Sequence, residues 1–254
     1  MEAYISFAED LVAESGPLIR RYFAQGVGVE LKADQTPVTV ADREAEALLR
    51  RRIHEAFPAH QVLGEEAGLS GPAEAAYRWV LDPIDGTKSF IHGVPLFGTL
   101  IALLHAGVPV LGVIHLPALD RLLIGAEGQP TRCDGAPVRV SRTAELAQAT
   151  VLITSPGELF KRGYGPALAR LAEHVRIVRS WGDCFGHFQV ATGRADAMFD
   201  PILNTWDVAA LRPCVVGAGG RLTDRDGVET GLGTSALSSN GVLHQALLDI
   251  LQPE

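Results

Sequence analysis

WVLDPIDGTKSF, residues 79–90, joins an apolar run to two carboxylates and a glycine turn. YRWVLD (77–82) reads as a buried strand. Asp82 and Asp85 are three positions apart, so a straight strand would send them to opposite faces. Pro83 lies between them, constrains the backbone and offers no N–H to a ladder. A chain that turns there lets both carboxylates converge. Gly86 then permits a close backbone approach. A helix or turn beginning at Gly86-Thr87 would present free N–H groups to a phosphate. Converging carboxylates repel one another, but they suit a divalent cation such as Mg²⁺, which favours oxygen ligands. In isolation, Asp-Pro-Ile-Asp-Gly is also ordinary turn chemistry, and that is the simpler reading of the segment by itself.

Outward from this stretch, residues 2–24 show helical spacing, with a bend expected at Gly16-Pro17. Residues 29–36 read as an extended piece and a turn. Residues 39–57 read as a second helix with Thr39 as its N-cap. QVLGEE (61–66) reads as a short strand ending in acids. LFGTLIALLHAGVPVLGVIHL (96–116) places a turn between two apolar runs, which predicts a hairpin. After about residue 145 strands and helices alternate. Strands are expected at 149–155, 175–180, 195–200 and 221–224, and helices at 158–173, 183–193 and 206–220. The rhythm predicts an α+β subdomain over 1–145 packed tightly on an α/β subdomain over 146–254.

The chain has 254 residues, a net charge of -8, 47% apolar and 20% charged residues. That is an ordinary globular composition with room for sizeable cores. No Lys/Arg cluster is dense enough for a nucleic-acid surface. An acidic protein that handles an anionic substrate needs local neutralisation, and a metal ion is the usual source. The three cysteines, Cys133, Cys184 and Cys214, have no metal-ligand spacing and suggest a reducing compartment. MEAYISFAEDLVAESG (1–16) lacks the basic flank and apolar block of a secretory leader. No apolar run reaches the ~20 residues that span a bilayer. The expectation is a soluble, cytoplasmic protein.

Other acids give the opening stretch its context. Glu65 and Glu66 close the strand at 61–66 behind a glycine. Asp207 opens a helix, where an acid is favoured as a cap or first-turn residue. Asp42 stands near the start of the second helix with the same structural role available. Lys32 reads as a solvated surface lysine.

GEE at 64–66, WVLDPIDGT at 79–87 and WDVAA at 206–210 together resemble the inositol monophosphatase family in order and spacing. The resemblance implies a layered αβαβα sandwich of the inositol monophosphatase and fructose-1,6-bisphosphatase type, an α/β (α+β) fold, in a homodimer. It implies a lithium-sensitive, Mg²⁺-dependent phosphomonoesterase holding two or three ions. Glu65, Asp82, Asp85 and Asp207, with the Ile84 carbonyl, would be the metal ligands. Glu65 with Thr87 would activate the attacking water. The Gly86 and Thr87 amides would hold the phosphate. Asp42 would lie near the third metal and the Thr87 hydroxyl. In-line attack without a phospho-enzyme is expected. The D-x-x-D spacing departs from the DxD of haloacid-dehalogenase phosphatases, and there is no GxxxxGK[ST] of an NTPase.

GTKSFIHGVPLFGTLIAL (86–103), TSP (154–156) and RSWGDCFGH (179–187) resemble the histidinol-phosphatase branch, and so point to histidine biosynthesis. Asp183 stands where inositol-specific members usually have Ser or Thr. A carboxylate there would favour a cationic leaving group over a neutral polyol, although Asp183 could also cap the helix it begins. Asp200 matches a substrate-contacting acid of the family and suits either ligand. Trp206 is instead as in inositol monophosphatases, so inositol-1-phosphate or a broad range of polyol phosphates is the alternative. A third reading is a regulatory or interaction protein of the same fold, which a degraded set of acids would favour. His92 and His187 read as surface or packing residues.

Overall fold

The structure, a computed structural model, describes residues 1–31, 37–229 and 231–252. Lys32 lies outside the described residues. The first part of the chain contains α1 (Glu2–Gln25), β1 (Val29–Leu31), β2 (Pro37–Thr39), α2 (Val40–Ala56), β3 (Gln61–Gly64), β4 (Gly68–Ser70), β5 (Tyr77–Asp85) and α3 (Thr87–Ile91). It continues with β6 (Gly98–His105), β7 (Val108–Leu116), β8 (Arg121–Ala126), β9 (Arg132–Cys133) and β10 (Ala136–Pro137). The later part contains β11 (Thr150–Ile153), α4 (Pro156–Lys161), α5 (Gly165–His174), β12 (Ile177–Arg179), α6 (Asp183–Ala191) and β13 (Ala197–Asp200). It closes with α7 (Thr205–Val208), α8 (Leu211–Gly217), β14 (Arg221–Thr223), β15 (Ala236–Ser239) and α9 (His244–Leu251).

An eight-stranded sheet runs β10-β9-β8-β7-β6-β5-β3-β4, antiparallel except for the β3–β5 pair. A five-stranded sheet runs β12-β11-β13-β15-β14, with β11 parallel to both its neighbours. Alternation along the strands builds the layers. Trp79, Leu81, Ile101, Leu103 and Val113 pack with Ala8 and Leu11 of α1 and Leu49 and Ile53 of α2. Val80, Leu100, Ala102 and Ile114, on the other face, pack with Cys184 and Phe188 of α6 and Leu211, Cys214 and Val215 of α8. Val190 of α6 also meets Leu152 and Met198 of the second sheet. The far side of that sheet packs on Leu168 and Leu171 of α5 and Leu247 and Leu248 of α9. The result is the αβαβα sandwich, with α6 and α8 as a middle layer shared by both sheets. Each fully buried Leu, Ile or Phe in these layers contributes roughly 1.5–3 kcal/mol. Glycine allows the closest approach of the middle layer: a Cβ on Gly112, in β7, would collide with the Ala210 carbonyl oxygen.

The predicted hairpin is β6–β7, and α2 starts at the expected Thr39 cap, whose hydroxyl accepts from the Ala41 N–H at 3.1 Å. Two expected helices are each divided. Between α4 and α5, Gly163 takes a left-handed φ of +85° and ends the first segment. The break between α7 and α8 falls at Ala209-Ala210, where Pro213, the third residue of α8, has no N–H to return to the Ala209 carbonyl four residues earlier. Helix α1 runs unbroken through the expected bend, with Pro17 inside it.

Candidate active site

The strand of the opening motif does not stop at Asp82 but continues to Asp85. Its pairing with β6 shifts on the way: Asp82 faces Leu100 and Asp85 faces Gly98, so three steps on β5 match two on β6. This bulge absorbs one residue and cancels the odd spacing of the two acids. Pro83 sits in it; its carbonyl accepts the Thr99 hydroxyl at 2.9 Å. The Ile84 N–H donates to Asp82 Oδ1 at 3.1 Å, and the Thr87 hydroxyl donates to the Ile84 carbonyl at 3.0 Å. Gly86 adopts a left-handed φ of +83° and starts α3 directly behind the second acid.

Asp207 reaches the same place from α7. Its carboxylate closes the helix cap by accepting the Asn204 N–H at 2.6 Å. The expected cap role is therefore real, and it orients the residue as well. Oxygens of Asp82, Asp85 and Asp207 all lie within 4.8 Å of one another. The Cys184 N–H, at the start of α6, donates to Asp85 Oδ2 at 2.5 Å.

Burial pushes Asp82 well above the usual carboxylate range, and the charges of Glu65, Asp85 and Asp207 push it further. Asp85 is raised by burial and then by Asp183 and Asp207, against the Cys184 N–H. Asp207 is pushed up to about 7, mainly by burial and opposed by the Asn204 N–H. Among the described residues, no Lys or Arg forms an ion pair with these three acids. Packed anionic oxygens without a paired cation fit a hard divalent ion.

Beside the cluster is a cleft of about 310 Å³ lined by Glu65, Gly86, Thr87, Lys88, Ser89, Leu96, Thr154, Ser155, Ser180, Gly182 and Asp183. Asp183 is the first residue of α6, and Gly182 is its N-cap. The Asp183 side chain is thus not the cap. Its backbone takes a left-handed φ of +53°, and its carboxylate faces Gly86, where a Cβ would lie 3.1 Å from Oδ2. Burial pushes Asp183 up to about 6, with Lys88 acting against it. Asp200 ends β13, is buried, and is pushed up to about 7 by that burial. Thr154 connects the two acids: its hydroxyl accepts the Asp183 N–H at 3.1 Å and donates a short hydrogen bond to Asp200.

Asp42, which the resemblance sets near a third metal and the Thr87 hydroxyl, has hydrogen bonds of its own. It is buried in the capping box of α2, where Oδ2 accepts the Thr39 N–H at 2.8 Å and its hydroxyl at 2.6 Å. Burial and the charge of Glu65 raise it, so it neighbours the site. The hydroxyl of Thr87, however, is bonded to Ile84. His92 is exposed on the Lys88 carbonyl, and His187 is buried against Ser238 with its pKa lowered to about 3. Sequence reasoning passed over Thr154 as a functional group. TSP was its one signal.

The chain matches the inositol monophosphatase family over residues 1–253. It is similar to a histidinol-phosphatase of Chlorobaculum parvum, 40% identical over 96% of this chain and 95% of that one. It is 41% identical to a histidinol-phosphatase of Mycobacterium tuberculosis, over 90% of this chain and 89% of that one. Its fold is similar to that of an inositol monophosphatase from Zymomonas mobilis, with a TM-score of 0.86, 33% identity and 98% of both chains covered.

Proposed function

The chain belongs to the inositol monophosphatase family and is a phosphoric monoester hydrolase, and from that premise we propose that it is a Mg²⁺-dependent histidinol-phosphate phosphatase. The observation that carries the substrate reading is the Asp183 carboxylate, which faces Gly86 at the edge of the acid cluster, while the Asp183 backbone N–H is linked through the Thr154 hydroxyl to Asp200. A half-buried carboxylate at Asp183 and a buried one at Asp200 suit a leaving group that bears an ammonium and a titratable imidazole. The histidinol-phosphatases among the relatives support the same choice.

Asp82, Asp85 and Asp207, with Glu65 and the Ile84 carbonyl, would hold two or three Mg²⁺ ions. Bound there, the metal supplies Lewis-acid charge at the phosphoryl and leaving oxygens. The protein's own groups do the rest. The Gly86 and Thr87 amides, at the start of α3, orient the phosphate oxygens. Glu65, aided by Thr87, takes the proton of the attacking water. Asp183 and Asp200 hold the cationic end and align the ester for direct in-line attack. The same reading carries lithium sensitivity, a homodimer and a cytoplasmic location; no helix among the described residues is long and apolar enough to cross a membrane. The alternative substrate, inositol-1-phosphate, is favoured by Trp206 and by the likeness to the Zymomonas mobilis protein.

Asp183→Ala separates the two substrates. Loss of a charge-assisted contact should lower kcat/KM for histidinol phosphate about 10- to 100-fold, and for inositol-1-phosphate less than about threefold. Equal losses on both would leave Asp183 as a structural residue of α6.

A further inference from the structure

The turn that carries Glu65 is held from behind by a buried ion pair on α2. Glu46 is 1% exposed and accepts three hydrogen bonds. Its Oε1 takes the Arg50 Nε–H at 2.7 Å and the Ala67 N–H at 2.9 Å, and its Oε2 takes the Glu66 N–H at 2.8 Å. Arg50 then spreads its guanidinium over the hairpin. Nη1 donates to the Val62 carbonyl at 3.3 Å and to Ser70 Oγ at 2.8 Å, and Nη2 makes a short bond to the Gly68 carbonyl. Gly64 leaves the room for this: a Cβ there would run into the Glu46 carboxylate. On the other side, the Glu65 N–H donates to the Leu81 carbonyl at 3.2 Å, one residue before Asp82. Glu65 is therefore bracketed by β5 before it and by Glu46 after it.

Burying an ion pair is a costly way to hold a turn, because an apolar pair of similar volume is often as stable. What the pair adds is orientation: two charged forks set five backbone and side-chain groups within nine residues of hairpin. We propose that Glu46 and Arg50 are positioning residues for the phosphatase reaction, fixing the Glu65 carboxylate against the Asp82–Asp85–Asp207 cluster. The inference rests on the role given to Glu65 above. Neither residue touches substrate; both act through Glu65.

A double-mutant cycle tests it. Glu46→Gln keeps the shape but turns an N–H donor toward one of the three donors it should receive. Wild type, Glu46→Gln, Glu65→Gln and the double variant are assayed on histidinol phosphate with saturating Mg²⁺, well below their melting temperatures. Glu46→Gln should lower kcat about 10- to 100-fold with KM changed less than about threefold, as expected of a misplaced catalytic group. Added to Glu65→Gln, it should cost less than about threefold more, because residues acting as one unit are non-additive. Arg50→Lys, which leaves the Glu46 bonds to Glu66 and Ala67 in place, should retain more kcat than Glu46→Gln, and it carries the same cycle if Glu46→Gln does not fold. Multiplicative losses, or a lowered melting temperature with wild-type kcat, would overturn the positioning role and leave a structural brace. A near wild-type Glu65→Gln would instead overturn the role of Glu65, and the positioning role with it.

Discussion

Asp200→Asn should stabilise the metal-free protein, and by an amount that grows with pH. Asp200 is 5% exposed, at the end of β13, and burial pushes its carboxyl from 3.8 up to about 7. Between those values the folded chain holds a proton that the unfolded chain has released. Stability therefore falls as pH rises through that window, and the loss is complete above the folded value. The shift of about three units corresponds to about 4 kcal/mol in full. Near pH 5 the unfolded carboxyl is already ionised, and roughly a third of that is spent; near pH 8.5 all of it is. Asn has no proton to lose. The gain from Asp200→Asn should thus be roughly 2–3 kcal/mol larger near pH 8.5 than near pH 5. Urea unfolding of both proteins in excess chelator, at the two pH values, measures the difference directly. Titrations of groups that do not interact with Asp200 are common to both proteins and cancel; Asp183 and Asp207, whose charges help to raise Asp200, titrate lower in the variant and add to the difference with the same sign. A gain that is flat with pH, or larger in acid, would refute the reasoning that burial keeps this acid protonated.

Asp82→Asn and Asp207→Asn should each lower kcat at least about 100-fold on any phosphomonoester while circular dichroism stays native, since each removes an anionic oxygen from the cluster; turnover near wild type would sink the metal assignment. The same variants should weaken Mg²⁺ binding in calorimetry, and unchanged affinity would count against them as ligands. Gly112→Ala should destabilise by roughly 1–3 kcal/mol, because its methyl group meets the Ala210 carbonyl across the sheet–helix interface. Its kcat per folded molecule should not change; an unaltered unfolding midpoint would mean that α8 can move off the sheet.

The motif at 79–90 reads by itself as a turn, and it reads as a site only beside Glu65 and Asp207. Asp, Pro and Gly are common turn residues, so the weight came from Glu65 and Asp207, which lay in segments with strand and helix signals of their own. The means of convergence was less legible. A turn at Pro83 was expected, but β5 runs on to Asp85 and the acids meet through a bulge, which depends on the register of β6. The layers were legible because Trp79 and Leu81 alternate with Val80. The breaks at Gly163 and before Pro213 were not, since a broad apolar face continues across both. What the sequence hid best were residues whose importance lies in distant partners. Thr154 is an ordinary Thr until Asp183 and Asp200 arrive, 29 and 46 residues later. Glu46 looks like one more helix acid until it meets the backbone of Glu66 and Ala67. Asp42 likewise carries a partner that its position in the sequence makes plain only through the helix cap: its carboxylate accepts two hydrogen bonds from Thr39.

The most direct measurement is kcat/KM for histidinol phosphate and for inositol-1-phosphate, side by side, with Mg²⁺ and with chelator. The proposed function predicts hydrolysis of both that disappears with chelator, and a preference for histidinol phosphate of at least about tenfold, the worth of one charge-assisted contact. Equal turnover of the two, or a preference for inositol-1-phosphate, would contradict the specificity drawn from Asp183. Hydrolysis that persists in chelator would contradict the metal chemistry drawn from Asp82, Asp85 and Asp207.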